Sequence, residues 1–187
     1  SNNEARNLTR DIVCLARTAG KNFPALEGET ELATGIDALD RKILRVLQHD
    51  ATLGLDEIAA QVGSSKTPVW NRIRKLRDAG VIDRQVAILD PDKLDLASCF
   101  FVLIRTARHD AEWLAQFTAA LRARPEIMEA HRLAGEIDYL LKVRVEDAGA
   151  YDRFYRSLIE DVSIFSVTAL LSMEEIVAKT ALPIADE

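Results

Sequence analysis

Cysteine is scarce in this chain, and long apolar runs are missing. The two cysteines, Cys14 and Cys99, lie in unrelated contexts and offer no disulfide framework, which points to a reducing cytoplasm. The longest apolar run, Cys99 to Ile104, falls far short of the roughly 20 residues that span a bilayer. No signal-peptide core precedes a small-residue cleavage site, so a soluble cytoplasmic protein without membrane contact is expected. Signals for catalysis are equally thin. His49, His109 and His131 fall on three different expected elements, and no Cys or His pair has metal-ligand spacing. There is no G-x-S-x-G, P-loop or G-x-G-x-x-G. Neither an enzyme nor a bound metal or cofactor is expected.

What is present is an uneven distribution of charge. The net charge of −6 disfavours nucleic acid only if it is spread evenly. Residues 37–89 contain nine Lys/Arg and seven Asp/Glu, or +2, whereas residues 90–187 contain eleven and eighteen, or −7. The locally basic part is what would meet phosphates.

That part centres on residues 54–77, GLDEIAAQVGSSKTPVWNRIRKLR. Leu55, Ile58, Ala59 and Val62 recur at helical spacing, with Asp56 and Glu57 in the opening turn where the helix dipole favours anions. Gly63 then suits the left-handed conformation of a sharp reversal, and Ser64 or Ser65 can cap the next helix. Pro68 falls within the first turn, where its missing N–H is harmless. In the second helix Val69, Ile73 and Leu76 form an apolar stripe. Thr67, Asn71, Arg74 and Lys75 lie opposite, Lys66, Trp70 and Arg77 flank them on one side, and Arg72 lies on the other. The spacing predicts a helix-turn-helix whose second helix offers hydroxyl, amide and guanidinium groups to a major groove. Candidate DNA contacts are Ser64, Ser65, Lys66, Thr67, Trp70, Asn71, Arg72, Arg74 and Lys75. Ile73 stands one residue later than in the commonest form of the motif.

Taken in order, residues 1–35 form an N-terminal extension, with a possible helix over 9–19 followed by a linker. A three-helix, winged helix-turn-helix domain is expected over 36–82. Asp37 or Asp40 starts its first helix, and Leu39, Ile43, Leu44 and Leu47 form the stripe. Val81, Ile82, Val86, Ile88 and Leu89 suggest a small hairpin or a linking strand, with a linking strand or hinge over 83–96. Residues 97–187 then change pattern. Strands are expected at 97–106, 127–133, 139–145 and 167–173, and helices at 111–123 and 148–160. The order βαββαβ is that of ferredoxin-like domains, so the fold class is α+β. Two helices cover only one face of four strands, and the other face calls for a second copy of the chain.

The run beginning IDALDRKILRVL, the segment PVWNRIRKLRDAGVI and a βαββαβ domain containing AGEIDYLLKV together resemble the leucine-responsive/asparagine-synthase regulator (Lrp/AsnC) family of transcription factors. The resemblance covers residues 36 to about 184, and residues 1–35 have no counterpart in it. It implies sequence-specific binding of double-stranded DNA and a homodimer, often assembled into tetramers or octamers. It further implies that an amino-acid effector binds near subunit interfaces. The family's effector loop corresponds to Ala134, Gly135, Glu136, Ile137 and Asp138, with Tyr139 and Leu140 just after. Loop chemistry suits that role: a glycine permits close backbone approach, and Asp138 or Glu136 can meet an ammonium. The stretches FFVLIRTARHDAEW, LAGEIDYLLKVRV and TALPI look closest to a branch associated with cysteine breakdown, making cysteine the first effector to consider. Two alternatives stand beside this reading. One is an effector-binding or oligomerisation module without DNA binding, and the other is a small ferredoxin-like enzyme using Asp138 and Glu136 as an acid/base pair.

Overall fold

The computed structural model describes residues 35–185, so the expected helix over 9–19 and Cys14 lie outside the described residues. That span divides into two compact units. One runs to Ile88 and is joined by the chain from Ile176 onward; the other is Leu89–Glu175.

The first unit contains α1 (Ala38–His49), α2 (Leu55–Val62) and α3 (Lys66–Asp78). Helix α1 starts where its sequence can satisfy the free N–H groups: the Asp37 side chain accepts from the Asp40 N–H, and the Asp40 side chain accepts from that of Asp37. Gly63 ends α2 at φ 69°, the left-handed region that favours glycine. Ile43, Ile58, Ala59, Val62, Val69 and Ile73 close into one core, with Leu39, Val46, Leu47 and Ile82 packed against it. Leu44, expected in the stripe, points elsewhere. It lines a groove with Val81, Val86 and the chain end at Leu182 to Ile184.

Three expectations fail here. Ser65 stands at the N-cap of α3 with extended backbone, but its side chain makes no capping hydrogen bond. The period-two stretch from Val81 to Leu89 forms neither hairpin nor wing, and Val86, Ile88 and Leu89 are exposed. A strand exists only through ladder hydrogen bonds, and no other described strand runs beside this one. Finally, the chain from Ile176 does not belong with 97–175 as expected. Gln48 Nε2 donates to the Leu182 carbonyl at 3.0 Å and its Oε1 accepts from the Leu182 N–H at 2.9 Å, so one amide clamps the tail onto α1.

The second unit has the order β1 (Ser98–Arg105), α4 (Ala111–Arg122), β2 (Ile127–Arg132), β3 (Tyr139–Val145), α5 (Ala148–Asp161) and β4 (Ser166–Leu171). All pairings are antiparallel in the spatial order β2-β3-β1-β4, the ferredoxin-like arrangement with the two most apolar strands central. The registers Phe100↔Val143, Val102↔Leu141 and Ile104↔Tyr139 put these six side chains on the helix-covered face. Trp113 and Phe117 on α4 stack at 4.8 Å, and the Trp113 indole N–H donates to the Ser163 carbonyl at 2.8 Å. Each such buried aromatic stabilises the unit by on the order of 1.5–3 kcal/mol, and the indole keeps a partner. Leu114 and Ile159 on the two helices are exposed, and β4 stops before Met173. The opposite face carries Cys99, Phe101, Leu103, Leu140 and Leu170, and among the described residues no helix lies over it.

Candidate DNA-binding surface and effector loop

Helix α3 buries Val69, Ile73 and Leu76, and this fixes which side chains it can offer outward. Lys66, Thr67, Trp70, Asn71, Arg74 and Lys75 are exposed, as is Ser65, and Ser64 is half-buried. Trp70 and Arg74 stand one helical turn apart, and the Arg74 guanidinium lies 4.8 Å from the ring centroid. A cation–π contact at such a site is worth about 0.5–1 kcal/mol, enough to bias the guanidinium without immobilising it. Lys66 pairs with Asp56 across the turn at 2.8 Å, but both side chains are more than half exposed. Exposed pairs contribute about 0–1 kcal/mol, so a phosphate can displace Asp56.

Arg72 is different, because its charge is already engaged within the protein. Its guanidinium turns back to α1, donating to Asp40 Oδ2 at 3.1 Å and pairing with Asp37. Asp40 is completely buried. A buried carboxylate needs a cationic partner, so this arginine is committed to holding α3 on α1. The Asp37 hydrogen bond and the Asp40 charge together raise the Arg72 pKa above its ordinary value. The sequence signal for this role was the pair of acids at the start of α1, which were read only as caps.

The expected effector residues divide three ways. Ala134 to Ile137 form the loop between β2 and β3, with Gly135 and Glu136 exposed. Gly135 has φ 141°, a conformation that side chains resist, although a Cβ there would meet nothing within 4 Å. The loop is closed at its base by the Leu133 N–H donating to the Asp138 carbonyl at 2.8 Å. Asp138 itself is buried. Its N–H donates to the Ile104 carbonyl at 3.0 Å, and its Oδ2 accepts from the Thr106 N–H at 2.9 Å, tying the loop to the end of β1. It therefore braces the loop rather than presenting a carboxylate at the surface. Tyr139 also turns inward, 4.7 Å from the Phe117 ring centroid, and burial raises its phenol pKa. Leu140 lies on the sheet face opposite the two helices, in register with Leu103 and His131. Glu136 is thus the exposed carboxylate of the loop. Among the described residues no group of three or more His, Cys, Asp or Glu could hold a metal ion, and no helix is long and apolar enough to cross a membrane.

Both halves match known protein families. Residues 36–77 match the AsnC-type helix-turn-helix domain, and residues 99–182 match the Lrp/AsnC ligand binding domain. The glutamate uptake regulatory protein of Zymomonas mobilis is 44% identical over 151 residues, which cover 81% of this chain and 92% of that protein. The crystal structure of an AsnC family transcriptional regulator from Agrobacterium tumefaciens superposes with a TM-score of 0.77 at 48% identity, covering 79% of this chain and 96% of that one. A transcriptional regulator from Neisseria meningitidis, solved in complex with L-Met, gives a TM-score of 0.75 at 30% identity, covering 79% and 96%. With the basic helix exposed, the βαββαβ sheet behind it in the chain and both family patterns matched, this chain belongs to the Lrp/AsnC family of DNA-binding transcriptional regulators.

Proposed function

We propose that α3 enters the DNA major groove, with Ser65, Thr67, Asn71 and Arg74 reaching base edges or phosphates and Lys66 and Lys75 reaching phosphates. The observation that carries this is the α3 face itself: its polar side chains are exposed while its apolar stripe is committed to the core. Arg72 is left out of the contact set. The protein then acts in the cytoplasm, where its DNA is. Two copies present paired helices to half-sites about one helical turn or a multiple apart. The face bearing Phe101, Leu103, Leu140 and Leu170 is the natural dimer surface, since apolar area of this kind generally finds a partner. Tetramers or octamers follow from further contacts between dimers. Sedimentation at micromolar concentration should give at least twice the 20.8 kDa of one chain. A monomer alone would contradict the assembly.

The regulatory half of the proposal is an amino acid bound at Ala134 to Ile137. The L-Met complex of the Neisseria protein and the role named for the Zymomonas relative both support an amino-acid ligand. Loop backbone N–H groups near Gly135 would meet the carboxylate and Glu136 the ammonium, with Asp138 bracing the loop from beneath. Cysteine is the first ligand to try. For regulation, the ligand must favour one assembly or DNA-competent state over another, because equal affinity for both shifts nothing. Calorimetry with each natural amino acid, cysteine under reducing conditions, tests the idea. Binding that survives Glu136→Gln and a bulky residue at Gly135 unchanged would refute the loop site.

A further inference from the structure

Tryptophan occurs twice in the chain, and the two residues stand in opposite surroundings. Trp113 is 1% exposed in the core of the sheet unit, whereas Trp70 is 46% exposed on α3 and belongs to neither core cluster. An indole left half in water gains little from burial, so packing does not account for it.

The residue one turn further along α3 does account for it. The other cations of this helix reach polar partners inside the protein: Lys66 reaches Asp56, Arg72 reaches Asp37 and Asp40, Lys75 reaches the Gly35 carbonyl, and Arg77 reaches Gln85. Arg74 instead lies over the Trp70 ring, 4.8 Å from its centroid, and among the described residues it makes no ion pair or hydrogen bond. Stacking occupies the flat face of a guanidinium and leaves the N–H donors along its edge available. The ring also sets where that edge lies. Helical side chains lean toward the N-terminus, and Trp70 holds the guanidinium against a ring carried by the preceding turn, about 6 Å nearer that end. It is the N-terminal part of a recognition helix that contacts base edges. Around the helix axis, Arg74 shares the centre of the outward face with Thr67 and Asn71, opposite the buried Val69, Ile73 and Leu76, while Lys66 and Lys75 stand to its two sides. A helix lying in the major groove turns the centre of that face to the bases and its flanks to the two phosphate strands.

We propose that Trp70 is a positioning residue for base recognition, holding the Arg74 guanidinium so that its edge donates two hydrogen bonds to O6 and N7 of one guanine. The inference rests on α3 being the DNA-reading helix, and it separates Arg74 from Lys66 and Lys75, which take phosphates. Two parallel donors match the two acceptors of guanine, and such a pair discriminates between bases where a phosphate contact does not. A stack of this kind favours the held orientation about two- to fivefold in water, and more once DNA excludes water around it.

The test is selection of bound duplexes from a randomised DNA library by the full-length chain, followed by affinities for the selected duplex and for copies with each guanine replaced. Trp70 and Arg74 are exposed and outside the core, so their variants should fold. Arg74→Lys keeps the charge but loses the fork, and preference for one guanine in each half-site should fall about tenfold. Trp70→Leu should lower preference at that same guanine by about two- to fivefold or more, with the salt dependence unchanged. Trp70→Phe, which keeps a ring face, should restore part of it, and adding Trp70→Leu to Arg74→Lys should cost nothing further. A merely structural role for Trp70 would weaken all duplexes alike. The proposal is overturned if Trp70→Leu keeps the guanine preference, if it weakens every duplex equally, if its loss adds to that of Arg74→Lys, or if its salt slope falls by about one. If Arg74→Ala with Lys75→Ala leaves binding of the selected duplex unchanged, α3 is not the reading helix and both proposals fall. Parent-like guanine preference in Trp70→Leu, with binding lost in that double variant, overturns this one alone.

Discussion

Arg72→Ala should behave as a folding lesion rather than as a loss of DNA contact. The guanidinium is the cationic partner of Asp40, whose side chain is 0% exposed, and its Nη1 donates to Oδ2 at 3.1 Å. Removing it leaves a buried carboxylate with only the Asp37 N–H, at 3.2 Å, as a donor. Breaking a fully buried pair costs about 3–5 kcal/mol, but Arg72 is 33% exposed, so water can reach the site and about 2 kcal/mol is the reasonable figure. For a unit of this size that lowers the melting temperature by about 10 °C. Hydrogen exchange on peptides from α1 to α3 reads this directly, and Asp40→Asn combined with Arg72→Met should recover part of the loss by removing both charges. DNA binding measured well below the melting temperature should keep its affinity and its salt dependence. The reasoning is refuted if Arg72→Ala melts within about 2 °C of the parent while its salt slope falls by about one, the mark of a lost phosphate contact.

Three further outcomes are expected. Arg74→Ala combined with Lys75→Ala should keep the fold, since both side chains are exposed, and should flatten the dependence of log affinity on log salt by up to about two; unchanged DNA binding would reject α3 as the interface. Gln48→Ala should cost about 1 kcal/mol, because its two hydrogen bonds to Leu182 are solvent-exposed. It should also speed hydrogen exchange and protease cleavage between Ile176 and Ala185, and a tail as protected as in the parent would show that the clamp is inert. The chain should lose stability in acid. Asp37, Asp50 and Asp110 are held below the ordinary carboxylate range, first by the Asp40 N–H, the Thr52 hydroxyl and the Trp113 N–H respectively. Stability from depressed carboxylates is complete above the unfolded pKa of about 4 and is lost as pH falls through the folded values. Denaturant midpoints should therefore be level above about pH 5 and drop below about pH 4, and a midpoint that rises in acid would contradict the sign.

How much could be read from the sequence depended on whether the deciding interaction was local. Gly63, Asp37 and the stripe Val69, Ile73 and Leu76 were legible because caps and helical period act within a few residues. Strand order was legible because burial on one face leaves a period-two pattern, clearest in Tyr139 to Val145. The pairing of Arg72 was not legible for the opposite reason: its side of α3 could be assigned from spacing, but its partner Asp40 lies 32 residues earlier, and nothing in the spacing of α3 distinguishes a cation facing phosphate from one facing a buried acid. Asp138 is the same case within the candidate ligand loop. Its position beside Gly135 suggested a ligand contact, while the Thr106 N–H, reachable only once β1 and β3 pair, turns it inward. Two charged residues, one in each unit, therefore show a supporting contact only through long-range partners. The same test, whether a charged atom is already satisfied, leaves Glu136 and Arg74 as outward-facing groups.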